Sequence, residues 1–306
     1  TEETQMIDPL AIEFGTDVSL IFHQEGYIPT SFSVQAGAFA NGLSLDGLTG
    51  FEEELIVDKR GIPPEFLAAQ PFENSIYSKE MHWILGLEKK TDDYTTRLRE
   101  VYDAGDTTQV TYPSKYPFNA PEGASKSNPL SGSLAVIARL LASPKNCKTR
   151  VFLVKIGGFD THADQVVKGD TTMGGHAALM YHIATAMKAF QDDLRLRGIE
   201  DRVLTVTTTE FGRRVRSNGS YGTDHGTAAP LFIFGKGVQP GVIGEAFKQS
   251  GDNLGMQVDY RNVYANIMRD WMHVTDDNRM NDIFPGLTSE EGTSDGVKFQ
   301  QMQLVQ

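Results

Sequence analysis

The sequence predicts an α/β fold with a mixed, mostly parallel central sheet flanked by helices, and three observations carry this. TRVFLVKI (149–156) is a run rich in β-branched and aromatic residues closed by Gly157 and Gly158, the pattern of a buried strand. RVLTVTTT (202–209) has a similar composition, and between the two Met180, Ile183, Met187, Phe190 and Leu194 recur every three or four residues. That spacing makes one apolar stripe on a helix of about six turns, with Gly198 placed to cap it. Strand, helix, strand is a βαβ unit, so the two strands are expected to be parallel with a right-handed crossover. LFIF (231–234) is the third strand. No helical period precedes it between Glu210 and Pro230, so it is expected to return antiparallel to a neighbour.

Upstream, residues 10–40 read as short β-like pieces, DVSLIF and SFSVQAG, broken by Gly and Pro. Residues 51–104 read as helical, with a Pro-started helix at PPEFLAAQ and a charged one through SKEMHWILGLEKKTDDYTTRLREVYDAG. TTQVTYPSKYPFNAPEGASKSNP is rich in Pro, Ser and Gly and reads as a long surface loop within the domain. SLAVIARLLAS is a short apolar helix, and residues 288–306 read as a polar tail or docking arm.

The 306 residues are ample for a full hydrophobic core, and 40% hydrophobic with 22% charged residues is ordinary for a globular protein. A formal net charge of −12 argues against a large nucleic-acid footprint, which needs a basic surface. No apolar run approaches the ~18 residues of a membrane span. Cys147 is the single cysteine, which excludes an intrachain disulfide and a thiolate cluster. The opening TEETQMIDPL lacks the basic and apolar regions of a signal peptide.

Three clusters fall at what this topology makes one edge of the sheet. GGFDTHADQ places Asp160 and His162 after the first strand, and TEFGRRVRSNG places Glu210, Arg213 and Arg214 after the second. GTDHGTAAP places Asp224 and His225 before the third. Ligands of open α/β sheets sit beyond the carboxyl ends of the strands. Carboxylates with imidazoles and no thiolate suit a divalent ion, with Zn, Mn, Mg, Ca and Fe not distinguished by residue type. Asp160, His162, Glu210, Asp224 and His225 are therefore the candidate ligands. Arg213 is the candidate grip on an anionic group, since a guanidinium fork matches phosphate or sulfate oxygens. His176 falls on the apolar stripe and reads as a buried histidine hydrogen-bonded to backbone, or as one that supports a metal ligand from behind. His182 falls off the stripe and is expected to face solvent.

From about residue 128 onward the sequence resembles the family labelled domain of unknown function 1501, a branch of the alkaline-phosphatase-like superfamily. The resemblance rests on GGFDTHADQ, on AFQDDLRLRGIEDRVLTVTTTEFGRRVRSNGSYGTDHGTAAPLFIFG and on VDYRNVYANIMRDWM. It implies one alkaline-phosphatase-like domain over 1–306, with its best-matching metal core at 128–287 and metal ions at the sheet edge. Asp160 and His162 match the family's DTH pair. Glu210 sits where superfamily enzymes place an acidic ligand, and His225 resembles the ligand histidine ahead of a strand. Asp224 matches either a ligand or a residue that orients His225. The implied activity is metal-dependent hydrolysis of phosphate or sulfate esters, small or polymeric; the alternative is a non-catalytic metal-binding or structural subunit. The implied location is exported, periplasmic or extracellular. Residues 1–50 contain no match to the superfamily's opening strand, its metal-binding Asp or its hydroxyl or thiol nucleophile, so the catalytic nucleophile is unassigned. The expectation is that the opening segment is missing through processing, truncation, a split partner chain or segment that supplies it, or real loss.

Overall fold

The computed structural model describes residues 7–15, 31–34, 93–118, 126–244 and 249–305. The chain mixes helices and strands and divides into two compact units. The first gathers Thr1–Lys115, Ser127–Gly157 and His182–Arg197, and the second Tyr116–Lys126, Gly158–Tyr181 and Gly198–Gln306. The strand expected at DVSLIF, the helix at PPEFLAAQ and the front of the charged helix lie outside the described residues.

In the first unit, Ala11–Phe14 (β1) runs parallel to Ser31–Val34 (β2) on one side and Val151–Val154 (β3) on the other, with Ile12 opposite Phe32 and Phe152. β1 is buried throughout, as the central strand of a parallel sheet must be. Its sequence AIEF hides that role, because Glu13 interrupts the apolar run. The Glu13 side chain is nevertheless fully buried, and its carboxylate is ion-paired with Lys155. A carboxylate at that depth needs such a partner, since an unpaired one would carry an uncompensated desolvation cost.

Residues 93–104 (α1) bury Tyr94, Leu98 and Val101, four and three residues apart, as one helical face. Leu130–Ala142 (α2) is the short apolar helix expected, with Leu134, Ile137, Ala138 and Leu140 buried. Asn128 caps its start by accepting from the Leu130 N–H at 3.1 Å, and the Ser143 hydroxyl just past its end donates to the Val101 carbonyl at 2.6 Å. Between α1 and α2 the described loop residues hold no helix or strand.

Gly175–Leu196 (α3) is a helix of 22 residues, six turns as its periodicity predicts, and Gly198 follows at φ +69°. Its buried face is turned by about one residue from the expected stripe. Leu179, His182, Ala186, Phe190 and Leu194 are buried, whereas Met180 and Ile183 are half-buried. Two histidines therefore exchange the roles read for them: His182 is fully buried and His176 is exposed. The same rotation buries Asp193, which accepts from Arg197 Nε at 2.8 Å and from the Tyr112 hydroxyl at 3.0 Å.

The remaining strands form short antiparallel pairs in the second unit. They are Thr205–Val206 (β4), Gly212–Ser217 (β5), Thr223–Gly226 (β6), Ile233–Phe234 (β7), Gln249–Ser250 (β8) and Asn253–Leu254 (β9), paired as β4–β7, β5–β6 and β8–β9. β7 returns antiparallel, as expected, and its partner is β4. The expected parallel pairing of β3 with β4 does not form, and the two belong to different sheets. β3 has instead taken β1, the strand that its glutamate concealed. β3 is also less covered than its composition suggests, with Val151 exposed and the other three residues half-buried. Among the described residues no single central sheet gathers these strands.

The second unit closes around Tyr260–Asn266 (α4), a π turn over Ile267–Trp271, and Asp277–Ile283 (α5). Asp259 and Asp276 cap α4 and α5, accepting from Arg261 and Asn278 N–H groups at 2.9 Å each. Ala265, Met280 and Leu287 form a fully buried core, with Met268, Val274, Phe284, Val297 and Phe299 packed on it. The polar C-terminal stretch docks here. Asn262 donates to the Lys298 carbonyl and accepts from the Gln300 N–H; one turn on, Asn266 donates to the Gln300 carbonyl and accepts from the Met302 N–H, all within 3.1 Å. Side-chain amides spaced i, i+4 thus supply the donors and acceptors that a neighbouring strand would supply.

Asn266→Ala strands the Gln300 carbonyl and the buried Met302 N–H, so we expect a loss of about 2–3 kcal/mol in urea unfolding. Limited proteolysis should then cut near residues 298–305 in the variant before it cuts there in the wild type. Asp193→Ala leaves Arg197 without its buried partner and should cost about 3–5 kcal/mol. Burial, and then the Asp193 charge, raise the Tyr112 phenol above the usual range. The unfolded phenol ionises first, so its contribution is complete below pH ~10 and is lost as pH rises beyond that. Tyr112→Phe should flatten that alkaline decline in chemical denaturation.

Candidate metal centre

The centre is built on the β5–β6 hairpin. Gly212 pairs with Gly226, Arg213 with His225 and Ser217 with Thr223, with a register shift between Arg213 and Ser217. Its turn is organised by Asn218, whose Oδ1 accepts from the Ser220 and Gly222 N–H groups at 2.9 and 3.1 Å. The Asn218-Gly219 dipeptide is the sequence signal of this turn.

Against this hairpin lies the segment Thr161–Val166. The Thr223 N–H donates to the Thr161 carbonyl at 3.2 Å, Ala163 bridges Tyr221, and the Asp164 and Val166 N–H groups donate to the Ser220 and Tyr221 carbonyls. Asn218 Nδ2 donates to the His162 carbonyl at 2.8 Å. Gln165 Oε1 ties both sides by accepting from the Thr161 and Thr223 hydroxyls at 2.9 and 2.7 Å. The approach is closest at Gly222, where a Cβ would stand 2.3 Å from the His162 carbonyl carbon and oxygen. Asp164 and Tyr221, both at the contact, take positive φ of 53° and 56°. For a residue as bulky as Tyr221 that conformation persists only because the surrounding bonds impose it.

The strapped segment and the hairpin bring together Asp160, His162 and His225. Each offers one ligand atom, and the three atoms lie within 4.8 Å of one another. Asp160 Oδ1 stands 2.7 Å from His225 Nε2 and 3.2 Å from His162 Nε2. The imidazoles lie with ring centroids 4.8 Å apart. The three side chains are 57%, 51% and 48% exposed for Asp160, His162 and His225, so one side of the group is open to solvent. One carboxylate oxygen and two imidazole nitrogens could hold a divalent ion with bonds of about 2 Å, leaving positions for water or substrate.

Neighbours hold these three in place. Arg213 donates to Asp160 Oδ1 at 2.9 Å, to the Thr223 carbonyl at 2.7 Å and to the Phe159 carbonyl. Its guanidinium also lies over the Phe211 ring at 4.9 Å, and Phe211 stacks on His225 with centroids 4.1 Å apart and 9° between planes. The hydrogen bond from His225, then that from Arg213 and the nearby imidazoles, hold the Asp160 carboxyl below the usual carboxylate range. Asp224 Oδ1 stands 3.3 Å from His162 Nδ1, the ring nitrogen away from Asp160. Hydrogen bonds from Asn218 and His162, with the charge of exposed Arg214, hold the Asp224 carboxyl low as well. Both groups are carboxylates at neutral pH.

Of the five candidate ligands, Asp160, His162 and His225 come together. Asp224 stands behind His162, so of the two roles read for it the geometry resembles the orienting one, on His162 instead of His225. Glu210 is outside the group. It sits at a bend two residues ahead of β5, whereas Arg213 and His225 are carried by the hairpin itself. The Arg213 fork is taken up by three protein acceptors, with its side chain 19% exposed, and does not stand open to an anion. His176, exposed as a residue, stands edge-on to the Phe159 ring at 5.9 Å; partial burial of its imidazole, then the Arg213 charge, lower its pKa. Phe211, Asn218, Gln165 and Gly222 were not singled out in sequence. Only Asn218, through Asn-Gly, carried a signal.

The chain belongs to the family described as "Protein of unknown function (DUF1501)", which it matches over residues 85–287. That range covers more than half of the chain, including every residue of this centre. No curated protein and no solved structure is significantly similar to it. Among the described residues, no helix is long and apolar enough to cross a membrane.

His162→Ala should reduce Zn²⁺ binding in calorimetric titration below detection, because it removes one of three ligand atoms. Asp224→Asn, which touches no ligand position, should weaken binding about 10–100-fold. Gly222→Ala should both lower the melting temperature and weaken Zn²⁺ binding, because the added methyl group displaces the His162 backbone.

Proposed function

We propose that this chain is a metal-dependent hydrolase of phosphate or sulfate esters, a member of the alkaline-phosphatase-like superfamily. The observation that carries the reading is the convergence of Asp160 Oδ1, His162 Nε2 and His225 Nε2 on one open point. A divalent ion held there would supply Lewis acidity toward an ester oxygen and would lower the pKa of a water. The protein groups do the rest. Arg213 keeps Asp160 ionised and its loop fixed, Asp224 holds His162 from behind, and Phe211 sets the plane of the His225 ring. Export from the cytoplasm, and completion of the site by another segment or chain, belong to the same proposal through the family resemblance.

A second reading, a metal-binding protein without turnover, has its own support. Among the described residues, the hydroxyls of Thr161 and Thr223 near the centre both donate to Gln165 and not to a base. The hydrolase reading therefore assigns attack to water instead of to either threonine. Protein stripped with chelator and reloaded separately with Zn²⁺, Mn²⁺, Fe²⁺, Mg²⁺ or Ca²⁺ should hydrolyse p-nitrophenyl phosphate or sulfate slowly, with activity lost in Asp160→Ala and His225→Ala. Metal bound with no turnover on either ester would favour the second reading. Full activity in the stripped protein would sink the metal-dependent mechanism.

A further inference from the structure

The two ring nitrogens of His162 face two carboxylates at nearly equal distance: Nε2 is 3.2 Å from Asp160 Oδ1 and Nδ1 is 3.3 Å from Asp224 Oδ1. A neutral imidazole has one proton, and only the nitrogen without it can ligate a metal. Which carboxylate takes the proton therefore decides whether Nε2 is available beside Asp160 and His225. Asp160 Oδ1 already faces the Arg213 guanidinium at 2.9 Å and His225 Nε2 at 2.7 Å, which leaves little room for a third donor. Among the described residues, Asp224 Oδ1 has one other neighbour of this kind, Asn218 Nδ2 at 3.4 Å.

The orientation of the Asn218 amide is fixed by chemistry. Its oxygen faces two backbone N–H groups, of Ser220 and Gly222, which can only donate. Its NH₂ faces the His162 carbonyl at 2.8 Å and the Asp224 carboxylate, which can only accept. One side chain therefore holds the hairpin turn, the backbone of His162 and the carboxylate that addresses the His162 ring.

Building on the metal reading above, we propose that Asn218 is a positioning residue of the centre: it sets Asp224 against His162 so that the imidazole keeps its proton on Nδ1 and presents Nε2 as the ligand atom. Asn218 does not touch the ion or the substrate and acts through Asp224 and the His162 backbone.

The variant that separates this role from turn formation is Asn218→Asp. The aspartate retains an oxygen for the Ser220 and Gly222 N–H groups, so the hairpin keeps its bonds. It replaces the donor NH₂ with an oxygen facing the His162 carbonyl and Asp224, which repels both. The readouts are the His162 tautomer, from long-range ¹H–¹⁵N correlation of the imidazole in metal-free protein, and Zn²⁺ affinity by calorimetry. Wild type should show the Nδ1–H tautomer. Asn218→Asp should keep the wild-type circular dichroism, lose that tautomer preference and bind Zn²⁺ at least tenfold more weakly. Should it fold poorly, Asn218→Ser, which keeps a smaller acceptor, provides the same comparison. Retention of both the Nδ1–H tautomer and wild-type affinity in a folded variant would reduce Asn218 to a turn residue. If wild-type protein bound no Zn²⁺, the metal reading would fall, and the tautomer would still decide what Asn218 does to His162.

Discussion

The His162 backbone lies against Gly222 so closely that no side chain fits between them, and the centre depends on that contact. Asp160 and His162 sit on a segment with no helix or strand of its own to hold it. The Thr223 to Thr161 hydrogen bond, the Ala163–Tyr221 bridge and the Gln165 ties to both threonines lay that segment along the hairpin as if it were a further strand. Glycine at 222 permits the approach, and the positive φ of Tyr221 is the strain it imposes. A binding group on a loop is only as precise as the scaffold behind it. Here the scaffold is a two-stranded hairpin reinforced by side-chain amides.

Amides recur as the fastening device in this unit. Asn218 closes the hairpin turn and reaches the strapped segment, Gln165 ties the segment from the other side, and Asn262 with Asn266 holds the C-terminal stretch. The physical reason is common to all. A carboxamide offers a donor and an acceptor at once, so it can pair with a peptide group where no neighbouring strand is available. It does so without adding charge to a chain already at −12.

Charge in the centre is arranged to keep the ligands ready. Asp160 is held anionic by groups that themselves carry or share protons, namely His225 and Arg213. Arg213 is turned inward, where it neutralises part of the carboxylate cluster and ties Phe159 and Thr223 carbonyls, and Phe211 contacts both its guanidinium and the His225 ring. A single arginine thereby couples the strapped segment to the hairpin. The histidine that stacks on Phe211 is one of the two that offer a nitrogen at the centre.

Local pattern was enough to read several parts of this protein. The apolar recurrence from Met180 to Leu194 marked the 22-residue helix, VFLV and IF marked strands, and glycine-bounded DTH and DHG marked three residues that do converge. These are legible because helix period, strand composition and turn glycines act between near neighbours in the chain. What escaped the sequence depended on contacts far apart in it. AIEF was concealed by Glu13, whose buried carboxylate is ion-paired with Lys155, just past the end of β3. GRRVRS shows no apolar alternation, because β5 buries only Gly212 fully, so its hairpin was signalled by Asn-Gly alone. A one-residue rotation of the helix, set by what packs against it, exchanged His176 and His182. Residue type proposed five ligands; backbone approach at Gly222 brings three of them together, a matter of distance in space that spacing along the chain does not encode.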